Sequence, residues 1–400
     1  MAAHRFEPGQ VVICAARRTP IGAFMGALSA LTAPQLGATA LGAVLDDAGL
    51  PREQVAEVLL GHVLSAGCGQ APARQAARAA GLPDAVGATG IHKVCGSGLK
   101  AIMQAALSVA VSAASGSPHI VAAGGMESMS RVPFLLPEHR SGRKLGHAQT
   151  LDALLHDGLT DAYGGMHMGV CAERTAERYG VSRAEMDAFT RQSYARALAA
   201  HESGAFAAEL VPITCGKTRV ERDEEPQRYR PDKVDTLTGA FESGGAITAA
   251  NSSSLNDGAA ALLLTTAAVA AEHGAPVLAR VLAQAGTAGA PEWFTTAPVA
   301  AIRELLDTAG LSVADIGLWE INEAFAVVSM VAATELGIPE DRLNIHGGAV
   351  ALGHPIGASG ARILVTLIHA LRARRERYGV AAICIGGGEG LSLLVENPGG

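Results

Sequence analysis

The residues with the clearest chemical potential are cysteines in glycine-rich surroundings. Six occur (Cys14, Cys68, Cys95, Cys171, Cys215 and Cys384) and none forms a C-x-x-C pair, which argues against zinc and against a secreted disulfide framework. Cys95 stands apart in VCGSGLKA (94–101), where Gly-Ser-Gly leads into an apolar-periodic run that reads as a helix. A thiol at a helix N-terminus is expected to favour the thiolate, since the dipole and unpaired N–H groups stabilise negative charge there. Its glycines permit a sharp turn and leave room for a substrate. The bland alternative is a buried packing residue.

A nucleophilic thiol needs a base. His354 is the candidate, in GGAVALGHPIGASGAR (347–362), a glycine-rich loop that opens another helix and would complete a Cys–His pair. Cys384, in AAICIGGGEGLSL, is predicted at a strand end before three glycines. A thiol there can accept a proton, and the backbone N–H groups beyond it, Gly386 among them, can form an oxyanion hole. Asn322 in EINEAF (320–325) is predicted at a strand end, where its amide would hold a water or a carbonyl oxygen, or else cap a helix.

These residues lie far apart in sequence, so the fold must bring them together. Apolar β-rich runs at 11–16, 57–63, 119–125 and 381–388 alternate with Ala/Leu-rich helical stretches, the pattern of an α/β protein with mostly buried strands. An internal repeat organises them. DDAGLPREQVAEVLLGHV in the first half matches LDTAGLSVADIGLWEINEAF in the second, SGLKAIM (97–103) matches SGARILV (359–365), and AAGGME (122–127) matches CIGGGE (384–389), all in order and at a nearly constant offset. On this register His354 falls opposite His92, three residues before Cys95, and Asn322 opposite Gly61. The repeat implies two similar α/β halves about a pseudo-twofold, with the nucleophile and base loops facing each other. Residues 1–124 with 249–273 form one expected half and 274–400 the other. Between them 125–248, rich in charge, Gly and Pro, reads as an inserted loop domain over one mouth of the site; within it Ser182 and Glu185 have capping-box spacing.

Composition narrows the function. The formal charge is −7 and only five basic residues are lysine, without a basic stripe, so nucleic-acid binding is not expected. The N-terminus lacks the apolar run of a secretory signal. No apolar stretch is read as long enough to span a bilayer, and the expectation is a soluble, cytoplasmic protein.

The strings VCGSGLKA, GGMESMS, TDAYGGMHMG, SLNDGAAA, NEAF, GGAVALGHPIGASGAR and CIGGGEG, in this order, resemble the thiolases over essentially the whole chain, most closely their biosynthetic acetyl-CoA acetyltransferase branch. The resemblance implies a duplicated α-β-α-β-α core. It also implies a condensation of two coenzyme A thioesters in which the equivalent of Cys95 takes the acetyl group, His354 activates it, and Cys384 removes a proton from a second acetyl-CoA. One oxyanion hole would come from His354 and a water held by Asn322, the other from the N–H groups of Cys95 and Gly386. His167 matches a histidine beside the thioester, which favours a short acyl chain, and Ser253 matches a serine on the pantetheine arm. Met168, Ala324 and Phe325, in the same motifs, are expected to contact substrate or coenzyme A. No tightly bound cofactor or metal is implied, and a homo-oligomer, dimer or tetramer, with a place in fatty acid metabolism is.

The chain departs from the family pattern at four places. His92 replaces a common Asn and would bring a second imidazole near Cys95. TAANSSS (248–254) loses two glycines near the coenzyme. Phe294, in PEWFTTAP (291–298), is expected to reshape the acyl pocket. Glu389 stands at a variable position and is given no role. The main alternative is a degradative 3-ketoacyl-CoA thiolase of β-oxidation or 3-oxoadipyl-CoA type. A non-catalytic acyl-CoA-binding relative is disfavoured because Cys95, His354 and Cys384 are all present. A ketoacyl synthase is disfavoured because it lacks a match to Cys384.

Overall fold

The structure is a computed structural model that describes residues 3–7 and 9–400. Nine strands build its main sheet: β1 Val12–Arg18, β2 Val55–Gly61, β3 Gly87–Ile91, β4 Ile120–Ser128, β5 Asn256–Thr265, β6 Ala279–Ala288, β7 Leu318–Ile321, β8 Tyr378–Ile385 and β9 Glu389–Glu396. Their spatial order is β7-β8-β9-β6-β1-β5-β4-β2-β3. Two short strands, His4–Arg5 and Gly22–Ala23, pair with β6 and β5. The eight principal helices are α1 Ala33–Ala48, α2 Pro72–Ala79, α3 Ser97–Ala114, α4 Met168–Tyr179, α5 Arg183–Ser203, α6 Ala297–Ala309, α7 Ala326–Leu336 and α8 Ser359–Arg374.

This order reads nearly the same from both ends toward a seam between β6 and β1, where only Ala279–Ile13 and Arg280–Val12 pair. In each half a strand pairs in parallel with its neighbour toward the seam, β2 with β4 and β7 with β8. The second strand then pairs antiparallel with a third, β4 with β5 and β8 with β9. The repeat in the sequence is thus a repeat of sheet topology.

Side-chain alternation explains why these runs are apolar throughout. Along β5, Leu262 and Leu264 join the central core while Ala261 and Leu263 join an outer one against α1 and α2. Along β8, Ala381 and Ile383 face the central core while Val380 and Ala382 pack outward against α6 and α7. Strands covered on both faces need no polar face, and each fully buried leucine contributes roughly 2 kcal/mol. The middle layer is α3 and α8, which share the central core with both half-sheets. Five layers result, α-β-α-β-α, as the resemblance implies.

Two sequence expectations need correction. The helix running Val94–Ala114 is long and apolar enough to cross a membrane, contrary to the reading that no stretch is. Its apolar character is that of a central helix sandwiched between two half-sheets, with Leu99, Ile102 and Val109 fully buried. The insertion, expected from residue 125, instead begins after Ser128, because Gly125–Ser128 continue β4 and pair with Asp257–Ala260 of β5. Residues 129–255 connect these paired strands, whereas the same connection in the second half is the short glycine turn between Ile385 and Glu389.

Within the insertion α5 begins at the expected capping box: Ser182 accepts from the Glu185 N–H and the Glu185 carboxylate accepts from the Ser182 N–H. A buried ion network ties this region to the sheet. Arg18, at the end of β1, donates through Nε to Glu209 (2.5 Å) and through both terminal nitrogens to Asp223 (2.7 and 3.0 Å). Asp223 also accepts from the Ile21 N–H and pairs with His201 of α5. Glu209 reaches Thr366 of the central helix α8.

Candidate active site

Cys95 follows a tight turn. Val94 adopts φ +44°, a left-handed conformation that costs a β-branched residue about 1–3 kcal/mol. Ser97 holds the turn: its hydroxyl accepts from the Lys93 N–H (2.8 Å) and donates to the Val94 carbonyl (2.7 Å). Helix α3 starts two residues after Cys95, as expected. Across the pseudo-twofold, Gly98 and Gly360 occupy matching positions where α3 and α8 cross. A Cβ on Gly98 would lie 2.9 Å from the Ala361 nitrogen, and one on Gly360 would lie 2.6 Å from the Leu99 nitrogen. Only glycine admits this approach, which brings the starts of the two helices together.

The backbone N–H groups of Gly386 and of Cys95 itself lie beside the Cys95 sulfur, where they favour its charged form. These donors are the pair expected to form an oxyanion hole. They do not make the resting residue a thiolate, as the helix-start motif suggests: burial pushes the Cys95 thiol up to about 11, and the two N–H groups only partly oppose it.

His354 lines the same cavity as Cys95 and is itself buried. Its Nδ1 lies 2.5 Å from the Ser359 hydroxyl, which donates its one hydrogen to the Pro355 carbonyl at 3.0 Å. Ser359 must therefore accept from Nδ1–H, leaving the Nε2 lone pair free; Nε2 has no protein partner. Burial, with the nearby Arg362 cation, lowers the imidazole to about 3, so it rests neutral, with Nε2 open as an acceptor. Ser359→Ala is expected to lower turnover by about 10–100-fold, the cost seen when a partner that fixes the tautomer of a metal-bound histidine is removed. Ser359→Thr keeps the hydroxyl and should retain most activity; steady-state kinetics of the two variants checks this.

Cys384 lies on β8 and is fully buried, outside the cavity lining, in a cluster with Met168, Phe294 and Phe325. Burial pushes its thiol well above the ordinary range, and negative charge on Cys95 would push it further. The Cys384 backbone N–H opposes this only weakly, so burial prevails. Asn322 directly follows β7, whose parallel pairing with β8 sets it one strand from Cys384; its N–H donates to the Ala382 carbonyl. Its carboxamide is buried and has no protein partner.

The cavity has a volume of about 370 Å³ and is largely apolar; besides Cys95 and His354 it is lined by His167, Met168, Ser253, Ala324, Phe325 and Phe294. His167 caps α4: its Nδ1 accepts from the Gly169 N–H (3.0 Å), so Nε2 carries the hydrogen, and its ring stacks on Phe241 at 4.8 Å. Burial lowers its pKa, keeping this donor neutral. Ser253 donates to the Ala324 carbonyl (2.8 Å), pinning the NEAF loop. Sequence reading missed Phe241, whose surroundings carry no motif, Leu159, which directly precedes the TDAYGGMHMG string, and Ser359, which the repeat signals as the counterpart of Ser97.

His92 is exposed and lines a separate cavity with Lys93, Gly386 and Glu389. It does not line the Cys95 cavity, so it adds no imidazole to those of His354 and His167 there. Glu389 forms an ion pair with Lys93. Among the described residues no cluster of His, Cys, Asp and Glu could hold a metal ion.

The family models for the thiolase N-terminal domain and the thiolase C-terminal domain match residues 11–268 and 275–397. The chain belongs to the thiolase family. It is 46% identical over 397 residues to acetyl-CoA acetyltransferase 1 of Arabidopsis thaliana, covering 98% of this chain and 95% of that one. It is likewise 46% identical to acetyl-CoA acetyltransferase of Chromobacterium violaceum, with 97% and 100% covered. Among solved structures, the Acat5 thiolase of Ascaris suum in complex with coenzyme A superposes with a TM-score of 0.92 at 43% identity, covering 97% of this chain and 99% of that one.

Proposed function

We propose that this thiolase catalyses the reversible Claisen condensation of two acetyl-CoA molecules to acetoacetyl-CoA and CoA, through an acetyl thioester on Cys95. The observation that carries this reading is the sulfur of Cys95 held against two backbone N–H donors on a cavity shared with a neutral, oriented imidazole. The names of the relatives support acetyl-CoA as substrate.

His354 Nε2 takes the Cys95 proton as sulfur attacks the thioester carbon. The departing CoA sulfur takes the proton of Cys384, leaving the acetyl group on Cys95 and a thiolate at Cys384. That thiolate removes a methyl proton from the second acetyl-CoA, whose enolate oxygen is stabilised at His354 and a water on Asn322. The enolate carbon attacks the acetyl carbonyl, whose oxygen takes the N–H groups of Cys95 and Gly386. Cys95 leaves as thiolate and recovers its proton from His354. Cys384, with a high thiol pKa, is a strong base once ionised, as deprotonating carbon requires. His167 Nε2–H is placed to donate to a thioester oxygen, while Ser253, Met168, Ala324 and Phe325 wall the arm of the coenzyme.

Brief exposure to acetyl-CoA followed by peptide mass spectrometry should place one acetyl group on Cys95 and none in Cys95→Ala. Acetylation of Cys384 instead would reverse the two roles. Thiolysis of acetoacetyl-CoA should exceed that of 3-ketohexanoyl-CoA, and the opposite order would overturn the short-chain assignment.

A further inference from the structure

The two oxyanion-hole donors come from different halves of the chain, Cys95 from the loop before α3 and Gly386 from the turn between β8 and β9. Neither segment is held by the other's secondary structure. The Cys95 loop contains the strained Val94, and the turn contains Gly387 and Gly388, both at positive φ (+92° and +85°). Something must fix their separation, since misplacement of such donors by about 1 Å can cost as much as 100-fold in rate.

One ion pair bridges them, alongside the apolar packing of Ile385 and Leu391 on Gly96. Lys93, two residues before Cys95, pairs with Glu389, three residues after Gly386 and the first residue of β9. Both are largely shielded, with side-chain exposures of 17% and 32%. Lys100, on the first turns of α3, feels both charges, Lys93 raising and Glu389 relieving the cost of its own. The carboxylate therefore balances two cations beside the nucleophile loop.

The repeat supplies a second, independent observation. Glu389 matches Glu127, and the Cys95 loop matches the loop of His354 to Gly357. Glu127 is fully buried and accepts from the Gly357 N–H at 3.0 Å, while also receiving the Val63 and Leu64 N–H groups. Each half thus ends its β4 or β8 motif with a glutamate that grips the catalytic loop of the opposite half.

We propose that Lys93 and Glu389 are positioning residues whose ion pair sets the spacing of the Cys95 and Gly386 N–H groups. The proposal rests on the reading of Cys95 as acyl acceptor. In single-turnover acetylation by acetyl-CoA, Glu389→Gln and Lys93→Met are each expected to slow labelling of Cys95 about tenfold, a fraction of what loss of a whole oxyanion donor costs, with KM for acetyl-CoA within about twofold of the wild type. Exchanging the charges, Lys93→Glu with Glu389→Lys, should recover most of the rate. Rates unchanged in both single variants, or a double variant slower than either, would overturn the brace. The pH dependence of Cys95 alkylation by iodoacetamide reads the same geometry without an acyl-CoA: withdrawing the Gly386 N–H moves its midpoint upward in the single variants, and the exchange brings it back. If the wild type shows no acetylation, the assigned function fails, and the alkylation midpoints alone decide the brace. Unchanged thermal midpoints confirm that the variants are folded.

Discussion

Cys384→Ala is expected to lower condensation of acetyl-CoA by about 10²–10⁴-fold, the range that a positioned general base contributes, while Cys95 still accumulates acetyl label. In the first stage Cys384 only hands a proton to the departing CoA sulfur, which the protonated His354 can supply in its place, whereas the second stage removes a proton from carbon and needs Cys384 as its base. Loss of labelling together with condensation would show instead that Cys384 is needed to form the acyl-enzyme. The buried surroundings add a pH signature. With the Cys95 thiol raised to about 11 by burial, alkylation of the resting enzyme at Cys95 should still be climbing above about pH 10, where an exposed cysteine has levelled off. Negative charge at Cys95 pushes Cys384 upward, and an acetylated Cys95 cannot carry that charge. Alkylation of Cys384 in the acetyl-enzyme should therefore have a midpoint at lower pH than in the free enzyme. The order of chemical events is enforced electrostatically: the base ionises most easily when the nucleophile is already acylated.

Arg18→Met is expected to destabilise the protein by about 3–5 kcal/mol, the usual cost of removing one partner from a buried ion network. Asp223 and Glu209 would remain buried without their shared cation, and the insertion would lose its tie to β1. The pH dependence discriminates this from simple loss of packing. Burial alone would raise Asp223, but the Arg18 charge, with hydrogen bonds from His201 and Arg18, holds it well below the usual carboxylate range. In the wild type its contribution is therefore complete above about pH 4, where the unfolded aspartate ionises, and is lost on acidification. Without Arg18 the balance turns toward burial, the native carboxyl holds its proton more tightly than the unfolded one, and stability falls as pH rises through neutrality. Urea unfolding at pH 5 and pH 8 should show the variant's deficit growing with pH. Parallel profiles for the two proteins would contradict the account.

The sequence discloses the fold largely through its repeat. SGLKAIM and SGARILV become α3 and α8, and AAGGME and CIGGGE become the ends of β4 and β8, because identical topology demands similar small and apolar residues at matching points. The convergence of Cys95, His354 and Gly386 follows from the same symmetry. What the sequence conceals is ionisation and direction. A helix-start cysteine reads as a thiolate only if water reaches it, and its burial is set by residues distant in sequence, such as Leu154 and Leu391, that share its core. His92 aligns with His354 in the repeat yet faces another cavity, since register fixes backbone position and not the neighbourhood of a side chain. Glu389 has no role that its own segment discloses, because its partner Lys93 lies in the other half of the chain.

The reciprocal glycines at the crossing of α3 and α8 have one more consequence. Each helix start carries the equivalent of about half a positive elementary charge, and Gly98 and Gly360 allow both to approach the same point inside the protein. The enolate and the tetrahedral oxyanions of the proposed reaction would then form in a positive electric potential to which peptide dipoles contribute. Their field holds no proton to gain or lose and offers no amine to be acylated by a reactive thioester, so it stays constant through every protonation step that the side chains undergo.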